Sequence, residues 1–186
     1  VFMGGGTPTY HSADALRQFL SRLDNSTGFR ASATEVTVEC NPESLDEEKA
    51  VALREGGVDR LSIGVQSLRP AILERFGRAH TVDQAFEAVA AARRAGFERL
   101  STDLIYAVPG QAAEEWRSDL RQVLDLGLEH LSAYNLTFEP GTALERERRA
   151  GRVEPSDEEV ELEMFWDTRR LDREAGLQAY EISNLS

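Results

Sequence analysis

Residues 60–67, Arg60-Leu61-Ser62-Ile63-Gly64-Val65-Gln66-Ser67, and residues 100–111, Leu100-Ser101-Thr102-Asp103-Leu104-Ile105-Tyr106-Ala107-Val108-Pro109-Gly110-Gln111, flank a stretch of helical periodicity that runs from Val82 to Ala95 and stops at Gly96. Each flanking run is short, mostly apolar and closed by polar, glycine or proline residues, as a buried strand is. Strand, helix and strand in that order make a parallel pair with a crossover helix. Outward from here the same rhythm continues. It places strands at residues 1–3, 35–39, 60–65, 100–106, 130–137 and 177–182. Ser12 caps a helix to about Leu23 with Ala15, Leu16, Phe19, Leu20 and Leu23 on one face, and Ser44 with Glu47 forms a capping box for the next. A further helix spans residues 113–126. After Thr137 the character changes, with Arg- and Glu-rich helices at 142–150 and 156–175, the latter apolar along Val160, Met164, Phe165 and Leu171. The sequence therefore predicts an α/β protein. Connections that follow strands are long and hold the Gly, Pro, Asn and Gln residues, which a parallel barrel would gather at one rim. A doubly wound open sheet gives the same alternation, and periodicity does not choose between them.

The chain has 186 residues, the size of one substantial domain. Acidic residues outnumber basic ones 33 to 21, for a net charge of −12, which argues against a nucleic-acid partner held by counterion release. No apolar run reaches the roughly 20 residues that cross a bilayer. Cys40 is the single cysteine, so an intrachain disulfide is excluded and a cytoplasmic location is expected. Val1 to Met3 reads as the end of a strand whose neighbour lies outside this sequence, and the chain as part of a longer protein.

Polar residues stand at the ends of five strands in succession. Gly4-Gly5-Gly6-Thr7-Pro8 lets a ligand approach bare backbone, although half of such turns are no more than tight connections. Glu39 closes the second strand as either a ligand contact or a turn starter, and Gln66 closes the third with an amide that can donate and accept. Asp103 interrupts an apolar strand, where a carboxylate needs a dedicated hydrogen-bond partner such as a sugar hydroxyl or a backbone amide. Arg78 in a loop is by default a solvated surface residue. Cys40 reads as a buried inert thiol, and His11, His80 and His130 have neither metal-ligand nor triad spacing.

In chain order, GGGTP, ECNPES, RLSIGVQS, GRAH, DLIYAVPGQ, LSAYNLTFEPGT and YEIS resemble the radical S-adenosylmethionine proteins of the oxygen-independent coproporphyrinogen III oxidase family, along nearly the whole chain. LTFEPGT and YEISN resemble its haem-chaperone branch more than the oxidase itself. The resemblance implies a partial TIM-like (β/α)6 barrel entered at the second strand. Residues 1–140 would be an incomplete core barrel, and 141–186 its last βα unit and the start of a link to a further region. It implies S-adenosylmethionine as cosubstrate, with Gly5, Gly6 and Thr7 at the methionyl amino group and Glu39 in contact. Gln66 and Asp103 would meet the ribose, Arg78 the methionyl carboxylate and Thr137 the adenosyl moiety. It implies a [4Fe–4S] cluster in the full-length protein, held by a CxxxCxxC loop that has no counterpart in this sequence. Haem or coproporphyrinogen III, and haem-acceptor proteins, are the partners it implies.

Overall fold

The computed structural model describes residues 1–186. Six strands, β1 (Phe2–Met3), β2 (Thr37–Cys40), β3 (Arg60–Gln66), β4 (Arg99–Tyr106), β5 (His130–Asn135) and β6 (Asn184–Leu185), follow one another in the sheet in chain order. This order decides what periodicity left open: a doubly wound sheet reverses at a switch point, and here no reversal occurs, as expected for the wall of a TIM-like barrel. The helices are α1 (Ala13–Thr27), α2 (Phe29–Ser32), α3 (Glu47–Glu55), α4 (Pro70–Arg75), α5 (Val82–Arg94), α6 (Ala113–Leu124), α7 (Ala143–Arg149) and α8 (Glu158–Glu174).

The chain forms two compact units, residues 1–103 and 104–186. In the first, β1 and β2 pair in parallel, as do β2 and β3, with Val38 beside Leu61 and Cys40 beside Ile63. The two-residue period of a strand sends Val38, Cys40, Leu61, Ile63 and Val65 to one face, all buried, where α1, α3 and α5 supply Leu16, Leu20, Leu53 and Val89. The opposite face carries Glu39, Ser62, Gly64 and Gln66. Ser12 caps α1 by accepting from the Ala15 amide, as expected. On that helix, however, Ala15 and Phe19 are exposed, and the buried stripe is Ala13, Leu16 and Leu20. The expected cap at Ser44 is displaced. Asp46 caps α3 through the Lys49 amide, while Ser44 sits in a 3-10 turn and hydrogen-bonds the Thr9 hydroxyl at 2.6 Å. Thr81 and Gln84 form a reciprocal capping box at the start of α5.

In the second unit α6 packs on α8. The Trp116 indole is 1 % exposed and donates to the Thr168 hydroxyl at 2.9 Å, and Arg117 pairs with Asp167 at 2.5 Å and Glu163 at 2.8 Å. Buried Met164 and Leu171 lie on the α8 face read from the sequence. The last strand is corrected. Residues 177–182 turn back as one arm of a short hairpin, with Gln178 and Ser186 exchanging backbone hydrogen bonds. The strand is Asn184–Leu185, antiparallel to β5. Within the expected strand Leu177 is buried, whereas Tyr180 and Ile182 are largely exposed, because a hairpin arm at the edge is packed on one side only.

Candidate functional site

The polar face of the first unit has two ends with different chemistry. At the N-terminal ends of the strands, Glu35 pairs with Arg99 at 2.5 Å and with Arg60 at 3.6 Å, and Asp59 lies 3.5 Å from Arg99. The Thr37 hydroxyl, and with it these guanidinium groups, hold the Glu35 carboxyl below its ordinary range against the opposing pull of burial. Opposite charges are matched here, as befits a stabilising floor.

The other end is a cavity of about 180 Å³, lined by Gly6, Thr7, Glu39, Asn41, Gly64, Gln66 and Asp103 among others. That is room for about six liquid-phase waters at ~30 Å³ each, enough for a polar fragment of sugar or amino-acid size. Glycine makes the room. On β3 the inner-face position between Ser62 and Gln66 is Gly64, where a Cβ would come within 2.8 Å of the Gln66 amide nitrogen and 3.3 Å of the Asn41 Oδ1. At the rim a Cβ on Gly4 would run into the Glu39 carboxylate, which instead accepts from the Gly5 amide at 3.4 Å. Gly5 and Gly6 take φ of +78° and +96°, open to a side-chain-bearing residue only with strain. Thr7 is fixed by the Asn41 amide, which donates to its hydroxyl at 2.9 Å and so ties the glycine turn to the loop after β2.

Gln66 ends β3 with φ +67°, a left-handed conformation that a non-glycine residue holds at a cost, and it is buried. Asp103 is half-buried at the cavity wall. Its interruption of the apolar strand has a plain cause: β4 alternates, and residue 103 falls on the polar face. Cys40 points the other way, its thiol donating to the Ser62 carbonyl at 3.5 Å, and burial followed by the charges of Asp103, Glu39 and Glu43 pushes its ionisation far up. The inert reading of that thiol fits this placement.

Of the sequence-selected positions, Gly6, Thr7, Glu39, Gln66 and Asp103 line this one cavity, and Gly5 is bonded to Glu39 at its edge. Arg78 lies outside the lining, exposed in the loop after α4, with its amide bonded to the Leu73 carbonyl at 2.9 Å. Thr137 is exposed in the second unit, following β5. Sequence reasoning passed over Gly64 and Asn41. Gly64 carried a signal, being a glycine inside a strand, which marks a close approach.

Residues 1–123 match the family model of the Radical SAM superfamily. Over its full length the chain is 36 % identical to the Heme chaperone HemW of Bacillus subtilis and covers 49 % of it. It is 37 % identical to the mitochondrial Radical S-adenosyl methionine domain-containing protein 1 of Mus musculus, covering 100 % of this chain and 42 % of that one. In structure it resembles the coproporphyrinogen III oxidase HemN of Escherichia coli, a radical SAM enzyme, with a TM-score of 0.86 at 26 % identity, over 100 % of this chain and 42 % of that one. The chain spans about half the length of the curated relatives it matches.

Proposed function

Since the chain belongs to the radical SAM superfamily, we propose that the cavity at the C-terminal ends of β1 to β4 binds S-adenosylmethionine, in a protein whose whole length serves as a haem chaperone. The observation that carries the first part is Gly64: a strand position that faces inward and has no side chain keeps a polar cradle open between Gln66, Asn41 and Asp103, with nothing apolar to fill it. The donor set suits the cosubstrate. The backbone of Gly5 and Gly6 and the Thr7 hydroxyl can meet an ammonium group and Glu39 can contact it, while Gln66 and Asp103 can share hydrogen bonds with vicinal ribose hydroxyls. Arg78, a guanidinium on a loop, offers a bidentate partner for the methionyl carboxylate. When bound, S-adenosylmethionine supplies the one-electron chemistry of the superfamily, together with a [4Fe–4S] cluster. The residues present do not fit that cluster: the sequence has one cysteine, buried and bonded to a backbone carbonyl. These residues therefore bind and orient the cosubstrate, and no redox step is assigned to them.

Haem as cargo, with haem-accepting proteins as partners, is supported by the identity to HemW over the full chain. Coproporphyrinogen III oxidation is the second reading, favoured by the likeness to HemN. Anaerobic assay of the full-length protein separates them: haem transfer to an apoprotein supports the chaperone, and conversion of coproporphyrinogen propionates to vinyl groups supports the oxidase. The cavity itself is tested by calorimetric titration of this chain with S-adenosylmethionine. Arg78→Ala should weaken binding on the order of 2 kcal/mol, roughly thirtyfold, through loss of a charged hydrogen-bonded pair. Asp103→Asn should weaken it too, and Glu159→Gln on the wet face of α8 should change nothing. Equal affinity for Arg78→Ala and the parent removes Arg78 from the site.

A further inference from the structure

Two residues beyond Arg78, the loop turns inward at His80, whose side chain is 1 % exposed. Its Nε2 lies 3.0 Å from the Val65 carbonyl oxygen, and its Nδ1 lies 3.3 Å from Oε2 of Glu43. The other oxygen of Glu43 accepts from the Tyr10 hydroxyl at 2.6 Å, but Oε2 is buried and accepts no hydrogen bond. Four segments meet in this cluster: the turn after β1, the loop after β2, the end of β3 and the loop that carries Arg78. His80 thus reaches the Glu43 carboxylate on one side and the Val65 carbonyl on the other.

Both ring nitrogens of the buried imidazole face oxygen, a backbone carbonyl on one side and a carboxylate on the other, so the ring bridges the end of β3 and the loop after β2. We propose that His80, held between Glu43 and the Val65 carbonyl, is the positioning residue of the cosubstrate cavity: it fixes the carbonyl next to Gln66, so that the amide keeps its left-handed, inward pose, and it ties down the loop that presents Arg78. This rests on the reading of the cavity as an S-adenosylmethionine site.

The test uses the ¹⁵N-labelled 186-residue chain, with the side-chain amide signal of Gln66 and the affinity for S-adenosylmethionine followed in the parent and two variants. His80→Ala, which loses both contacts, should shift the Gln66 amide signal and bind about tenfold more weakly. His80→Gln, which can still donate to the Val65 carbonyl, should keep the fold, return the Gln66 signal toward that of the parent and recover most of the affinity. Unchanged Gln66 signals and affinity in His80→Ala overturn the proposal, as does a folded His80→Gln that recovers neither. Should the parent bind no S-adenosylmethionine, the reading of the cavity fails, and the Gln66 signals alone decide the role of His80.

Discussion

Gly64 is where one atom decides between a filled strand face and an open cavity. Its backbone lies outside the left-handed region, so alanine is conformationally acceptable there, and the nearest atom a methyl group would meet is the mobile end of Gln66. Gly64→Ala should therefore leave the melting temperature within a few degrees of the parent while displacing the Gln66 amide and lowering S-adenosylmethionine affinity about tenfold, read by calorimetry. A large loss of stability with unchanged affinity would show that the glycine serves packing instead. The contributions of Glu39, Gln66 and Asp103 were legible in the sequence because a polar residue in or at the end of an apolar strand breaks a two-residue pattern. His80 was not legible. One of its partners, Glu43, is remote in sequence and the other is a backbone carbonyl, which leaves no mark in the sequence at all.

Among the elements, α8 holds a charge conflict that makes stability depend on pH. Asp172 is fully buried, and neither carboxylate oxygen has a hydrogen-bond donor. Burial pushes its ionisation up to about 7, against the weaker opposite pull of Arg169 one turn earlier. The folded state thus holds a proton that the unfolded chain releases near pH 4. Stability falls as pH rises from about 4 to about 7, with the full loss, up to roughly 4 kcal/mol, present above 7. Asp172→Asn should come close to the parent at pH 4 and exceed it at pH 8, measured by urea denaturation; equal stability at both would place Asp172 in a wetter site. The helices also show what local sequence can carry. The cap at Ser12 was readable because cap and helix are contiguous, and α8 displayed its buried face. The cap at Ser44 and the strand at 177–182 were misread for one reason: Ser44 is held by Thr9 and residues 177–182 by a hairpin fold-back, and such non-local pairings leave no periodic trace.

For the molecule as a whole, periodicity left the sequential strand order as one of two alternatives and the family resemblance chose the barrel, since a sheet's reversal point is written in pairing and not in periodicity. Chemistry constrains the whole chain more firmly. Anaerobic treatment of these 186 residues with iron and sulfide should yield no stoichiometric [4Fe–4S] absorption, because Cys40 is single and buried; a full cluster spectrum would mean other ligands had been overlooked. The left-handed Gln66 sets selection for robustness against selection for binding. A protein of this size is stable by only about 5–15 kcal/mol, and releasing a strained residue can contribute on the order of 1 kcal/mol. Gln66→Gly would thus be enriched in a library sorted for heat resistance and purged from one sorted for S-adenosylmethionine binding. Deep mutational scanning under the two pressures should give opposite signs at position 66, and the same divergence would be recorded in any lineage that kept the fold after its ligand was lost.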